Sequence, residues 1–293
     1  MKGVKPLLSL VAWLALALYG QAFAATLDLR DDWGRRIALP GPPARIVSLA
    51  PHATELLFAV GAGPRIVAVD PYSDFPPAAR TLPHVTGYPQ LDLERLLALM
   101  PNLVVVWGPG VTRARVDRMA ALGLAVFVSE PRTLDDVAAA LDAFAPLSGT
   151  PRTGHAAARE FRRRLAAIRA DHAGLRPLRV FVQFSSTPLL TLSDRDLIGD
   201  ALRSCGAVNV FGDLPIAAPQ VDPEAVITAR PQLVLAADGP ASAQRWRELG
   251  LLEPRGTARF AAFEATVIER PGPRAIDALA HLCTVIDAAR PPG

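Results

Sequence analysis

From Arg45 to Ser148 the chain alternates short aliphatic runs with segments of helical spacing. The runs are RIVSLA (45–50), RIVAVD (65–70), LVVVWG (103–108) and LAVFVSE (124–130). Between them lie stretches such as ATELLFAVGAG and RARVDRMAALG, in which apolar residues recur three and four positions apart. Near-continuous aliphatic strands separated by amphipathic helices predict a parallel sheet buried under helices. A similar alternation resumes at LRVFVQF (178–184) and continues through PQLVLAA (231–237) and ATVIERP (265–271). The expected fold is therefore α/β, with two Rossmann-like lobes.

Two further segments complete the organisation. TLDLRDDWGRRIALP (26–40) alternates on both sides of a turn-rich centre at Asp32-Trp33-Gly34 and predicts a hairpin. TPRTGHAAAREFRRRLAAIRADHAG (150–174) opens on a capping Thr150 and a first-turn Pro151 and stops at Gly174. Phe161, Leu165, Ile168 and His172 share one face of it. A helix of about 24 residues would span roughly 36 Å, a single rigid strut between the lobes. The expected divisions are an N-terminal lobe over 25–148, a linking helix over 149–174 and a C-terminal lobe over 175–293.

The chain also repeats itself. LDLERLLALMPNLVVV (91–106) and VDPEAVITARPQLVLA (221–236) each read as a short helix, a proline and an aliphatic strand. In both, an aspartate, Asp92 or Asp222, stands at the N-cap, and a glutamate, Glu94 or Glu224, falls in the first turn, where the positive helix end favours a carboxylate. On sequence physics alone, each glutamate serves its own helix.

Residues 1–24 change the expected compartment. Lys2 and Lys5 precede an apolar stretch from Leu7 to about Tyr19, and Ala22-Phe23-Ala24 has the small-x-small form of a signal-peptidase site. The stretch is shorter than the roughly 20 apolar residues of a membrane span. It predicts a cleavable signal peptide and export to the periplasm. Without it the 29 arginines nearly balance the 28 acidic residues, so the basic pI is no argument for a nucleic-acid or membrane partner. Cys205 and Cys283 are the only cysteines. An even count in an exported chain reads as a disulfide, with two separately buried thiols as the other reading. No G-x-S-x-G, H-E-x-x-H, phosphate-binding glycine loop or C-x-x-C occurs, and the five histidines are scattered, so no catalytic residues and no metal site are expected.

RIVSLAPHATELLFAVGAG, PYSDFPPAAR, LDLERLLALMPNLVVVW, SCGAVNVF, APQVDPEAV and RPGPR followed by LC resemble, in the same order, the periplasmic cobalamin-binding proteins of ABC importers. The resemblance spans nearly the whole mature chain. It implies a monomeric, non-enzymatic binding protein that carries cobalamin or a related corrinoid as cargo in a cleft between the lobes, with no resident cofactor.

The same resemblance implies sites. Ligand contacts fall on Tyr72, Tyr88 and Trp107 of the first lobe and on Phe184 and Arg270 of the second. Aromatic faces suit a flat macrocycle, and an arginine suits an amide oxygen or a phosphate. Glu94 and Glu224 become docking carboxylates, one per lobe, for arginines on the importer's membrane subunits. Tyr88 stands where some cobalamin binders have Trp, and Ala218 replaces another aromatic. Relatives of the same fold bind haem or iron-siderophores, so the alternative ligand is haem or a siderophore, with Tyr88 and either His52 or His84 as iron ligands.

Overall fold

The computed structural model describes residues 26–263 and 270–291. The expected signal peptide lies outside them. The chain opens with the expected hairpin, β1 (Leu27–Arg30) paired antiparallel to β2 (Arg36–Leu39), and Gly34 takes a φ of +77° at its tip. The hairpin is fixed to the lobe behind it by Asp31, whose buried carboxylate binds the Arg35 guanidinium at 2.7 Å and accepts the Val128 N–H at 3.2 Å.

The first sheet contains β3 (Ile46–Leu49), β4 (Ile66–Val69), β5 (Leu103–Trp107) and β6 (Val126–Ser129), all parallel, in the order β4-β3-β5-β6. Four helices accompany it: α1 (Pro51–Ala59), α2 (Leu93–Ala98), α3 (Arg113–Ala121) and α4 (Leu134–Phe144). The period-two pleat divides the strand side chains between two cores. Leu103, Val105 and Phe127 face α1 and α4, whereas Val104, Val106, Val126 and Val128 join Leu96 of α2 and Met119 of α3. Both faces are covered, which is why the strands read as unbroken aliphatic runs.

The strut is α5 (Pro151–Asp171), 21 residues and about 31 Å long, slightly shorter than the sequence predicts. Gly174, at φ +79°, lies just beyond its end. Thr150 occupies the N-cap position but makes no side-chain cap; its own N–H donates to the Ser148 hydroxyl at 2.9 Å. Phe161 and Leu165 are buried along one face.

The second sheet holds β7 (Leu178–Ser186), β8 (Leu189–Thr191), β9 (Ala207–Asn209), β10 (Leu233–Ala236) and β11 (Arg259–Ala262), with helices α6 (Leu197–Ser204), α7 (Pro223–Ala229), α8 (Ala243–Glu248) and α9 (Ala275–Ala288). Its parallel strands run β9-β7-β10-β11, the order of the first sheet, and β8 adds an antiparallel strand to the far end of β7. The strand beside β10 is RFAA; most of ATVIERP falls outside the described residues.

One hydrophobic core crosses between the lobes, from Leu56 and Phe144 through Phe161 and Leu165 to Leu202, Leu235 and Leu279. Arg169 of α5 binds Asp135 at 2.8 Å and Asp200 at 3.2 Å, and Asp200 also accepts the Leu134 N–H that opens α4. The two lobes are thus packed as well as connected. Cys205, at the end of α6, is bonded to Cys283 of α9. Among the described residues no helix is long and apolar enough to cross a membrane.

Candidate functional site

The C-terminal ends of β3, β4 and β5 open into a cleft of about 310 Å³ lined by Leu49, Pro51, His52, Asp70, Tyr72, Tyr88, Trp107 and Arg270. Ligand sites in sheets of this topology form at the carboxyl ends of strands. Trp107 is the last residue of β5, and the pleat that buries Val106 turns its indole outward, leaving it 42% exposed. A side-chain carbon on Gly110 would come within 2.7 Å of that indole, so the turn after β5 needs a glycine where the ring lies against it. Tyr88 meets Trp107 edge-on, with centroids 6.4 Å apart and planes at 77°. Tyr72 and Tyr88 are more exposed still, at 69% and 61%. Exposed aromatics gathered at the mouth of one cleft form a surface suited to binding rather than to core packing.

The cleft floor is polar and fixed in place. His52, in the first turn of α1, is buried, and its Nε2 lies 3.0 Å from the Ser129 hydroxyl. Burial lowers its pKa to about 4, so the imidazole is neutral near pH 7. Asp70 follows β4 and accepts the Tyr72 N–H at 2.9 Å and the Ser73 hydroxyl at 2.5 Å. Burial raises its pKa, while those two hydrogen bonds and the nearby Arg270 charge pull the other way. Behind it, Thr54 links Ser73 and Ser48 at 2.8 Å each.

The second lobe contributes Arg270, whose Nη1 binds Asp74 at 2.5 Å. That guanidinium holds the Asp74 carboxyl below its ordinary pKa. Four residues on, Arg274 grips the buried Glu55 of α1 with two bonds of 2.6 and 2.9 Å, and its guanidinium lies 4.2 Å from the Phe75 ring centre. The loop leading into α9 is therefore pinned to the first lobe at two points beside the cleft.

Four of the five expected ligand residues, Tyr72, Tyr88, Trp107 and Arg270, line this one cleft. Phe184 does not. It sits at the register shift between Gln183 and Ser185 where β7 pairs with β8, and packs half-buried against the core that Val180 and Val182 join. Glu94 and Glu224 are both exposed at the second position of α2 and α7. Asp92 caps α2 through the Arg95 N–H at 3.0 Å, but Asp222 makes no side-chain cap on α7, where Pro223 fills the first helical position. His84 is exposed, and no group of three or more His, Cys, Asp or Glu positioned to hold a metal occurs among the described residues. Sequence reasoning missed Asp70 and Asp74. The signal for Asp70 was its place at a strand end in RIVAVD.

Residues 46–281 match the family model described as periplasmic binding protein. The chain is 35% identical over 259 residues to the vitamin B12-binding protein of Vibrio cholerae serotype O1, covering 87% of this chain and 93% of that relative. The crystal structure of the periplasmic vitamin B12 binding protein BtuF of Vibrio cholerae aligns with a TM-score of 0.77 and 34% identity, covering 85% of this chain and 98% of that one. The periplasmic heme-binding protein RhuT from Roseiflexus sp. RS-1 aligns with a TM-score of 0.69 over 84% of this chain and 99% of that one; at 24% identity it bears on the fold alone.

Proposed function

The chain belongs to the periplasmic binding protein family, and from that premise we propose that it captures cobalamin or a related corrinoid between its lobes and delivers it to the membrane subunits of an ABC importer. The observation that carries this reading is the convergence of Tyr72, Tyr88 and Trp107 on one cleft with Arg270 facing them from the other lobe. The aromatic side chains cover the apolar rim of a flat macrocycle. Arg270 supplies donors to its polar periphery.

Capture and release need no chemistry of the protein's own, and the corrinoid is cargo rather than cofactor. The protein acts as a periplasmic monomer after removal of residues 1–24. Glu94 and Glu224, exposed and equivalently placed, dock it on arginines of the two membrane subunits. The lobe boundaries follow the strut, with 25–148 before it and 175–293 after it. Haem held by Tyr88 and His52 is less well supported, because His52 is buried and already hydrogen-bonded to Ser129.

Calorimetric titration with cyanocobalamin tests the cleft. Truncating Trp107 and Tyr72 together to Ala should weaken binding at least about thirtyfold, since each buried aromatic contact contributes on the order of 1–3 kcal/mol. Unchanged affinity in the double variant would remove the cleft from the account.

A further inference from the structure

Asp70 lines the cleft with only 4% of its surface exposed. Its orientation is set from behind: Oδ1 accepts the Tyr72 N–H at 2.9 Å and Oδ2 accepts the Ser73 hydroxyl at 2.5 Å. Ser73 is held in turn by Thr54 and Thr54 by Ser48, each at 2.8 Å and all buried. A carboxylate has about four acceptor sites, more than the Tyr72 N–H, the Ser73 hydroxyl and its own backbone N–H occupy, and Asp70 lines the cleft. Arg270 lines the same cleft, close enough for its charge to act on Asp70, and the Asp74 contact engages only one end of a guanidinium that carries five N–H donors.

The cleft therefore presents an acceptor-only group and a donor-only group as neighbours. A primary carboxamide is the complement of such a pair, because its oxygen accepts and its NH₂ donates. A ligand carboxylate has no donor for Asp70 and brings a like charge toward a desolvated one. We propose that Asp70 is a specificity-determining residue which, with Arg270, reads a peripheral primary carboxamide of the ligand and rejects a carboxylate at that place. This rests on the corrinoid reading, since it is the corrin rim that carries primary carboxamides. It supplies a reason, independent of ring shape, for the cleft to refuse macrocycles edged with carboxylates.

The test compares cyanocobalamin with each of its purified monocarboxylic acids, in which one rim amide has been hydrolysed. Kd is measured at pH 7.5 for the unmodified protein, Asp70→Asn and Asp70→Ser. The unmodified protein should bind at least one acid on the order of tenfold or more weakly than the amide, the scale of one like-charge contact. In both variants that ratio should fall to about twofold or less. A Kd ratio does not depend on the fraction of folded protein, and the arm with unmodified protein can fail by itself. Equal affinity for every acid, or variants that keep the full penalty, would overturn the inference while leaving the corrinoid reading intact. No cobalamin binding by the unmodified protein would overturn both.

Discussion

Met100 and Arg230 share a φ of 46° and each stands immediately before a proline, 130 positions apart in the chain. They are the only non-glycine residues at positive φ among those described, in a region where an L-residue costs about 1–2 kcal/mol. The equivalence extends around them. Asn102 and Gln232 each accept, through the side-chain oxygen, the N–H of Arg45 or Arg179 at 3.0 Å. Those arginines return bonds to the ends of α2 and α7, Arg45 to the Leu99 carbonyl and Arg179 to that of Ala229. The repeated phrase in the sequence is a repeated helix-turn-strand unit in space, and it places Glu94 and Glu224 in matching positions.

Matching positions make a docking role testable against a purely local one. If the two glutamates only complement their own helix ends, Ala at either should cost about 0.3–1 kcal/mol and leave transport intact. Docking predicts instead that Glu94→Arg and Glu224→Arg keep ligand affinity and lose uptake in reconstituted vesicles, with the double variant losing most. Full uptake by a folded double variant would leave the repeat with no role beyond architecture.

The Cys205–Cys283 bond closes a loop of 78 residues between α6 and α9. Constraining the unfolded chain over that length contributes about 2–4 kcal/mol. Thiol titration of periplasmic material under denaturing conditions should find no free thiol, and reduction should lower the melting temperature by several degrees. An unchanged melting temperature after confirmed reduction would contradict this.

His52 sets a slope in stability with pH. Burial lowers its pKa from 6.5 to about 4, so between those values the unfolded chain binds a proton that the folded protein refuses. Its contribution is complete above about pH 6.5 and is lost as pH falls through 4. Asp70 has the opposite sign, because its raised pKa makes ionisation harder in the folded state. Comparison with His52→Gln separates the two. Between pH 7.5 and 4.5 the unmodified protein should lose about 2–3 kcal/mol more than the variant in urea unfolding. Parallel profiles would show that the imidazole is not desolvated.

The lobes should barely move on binding. They share one hydrophobic core and one connecting helix, and Arg274–Glu55 and Arg270–Asp74 tie the loop before α9 to the first lobe. Closure about a hinge would break these contacts. Small-angle scattering with and without ligand should give indistinguishable radii of gyration, and a clear contraction would refute the rigid reading.

Much of this was legible in the chain because the signals are local. Val104, Val105 and Val106 are buried on both faces of their sheet, so the run announces a strand without context. The strut and the hairpin were equally plain. What escaped depends on partners distant in sequence. The three-residue β8 and β9 exist because both pair with β7. Phe184 is half-buried against the core that Val180 and Val182 join, and Asp70 acquires meaning only when Arg270, 200 residues away, is brought to the same cleft. Asp222 resembled a helix cap by analogy with Asp92 and does stand at the N-cap position of α7, but its side chain makes no cap there.

If the aromatic cleft holds a corrinoid, the ligand should travel with the protein. Purified mature protein mixed separately with cyanocobalamin and with haemin, then passed through gel filtration while the visible spectrum is recorded, tests it most directly. The account predicts that cyanocobalamin co-elutes with the protein at about one equivalent and that haemin is left behind. Co-elution of haemin with no retained cobalamin would contradict it.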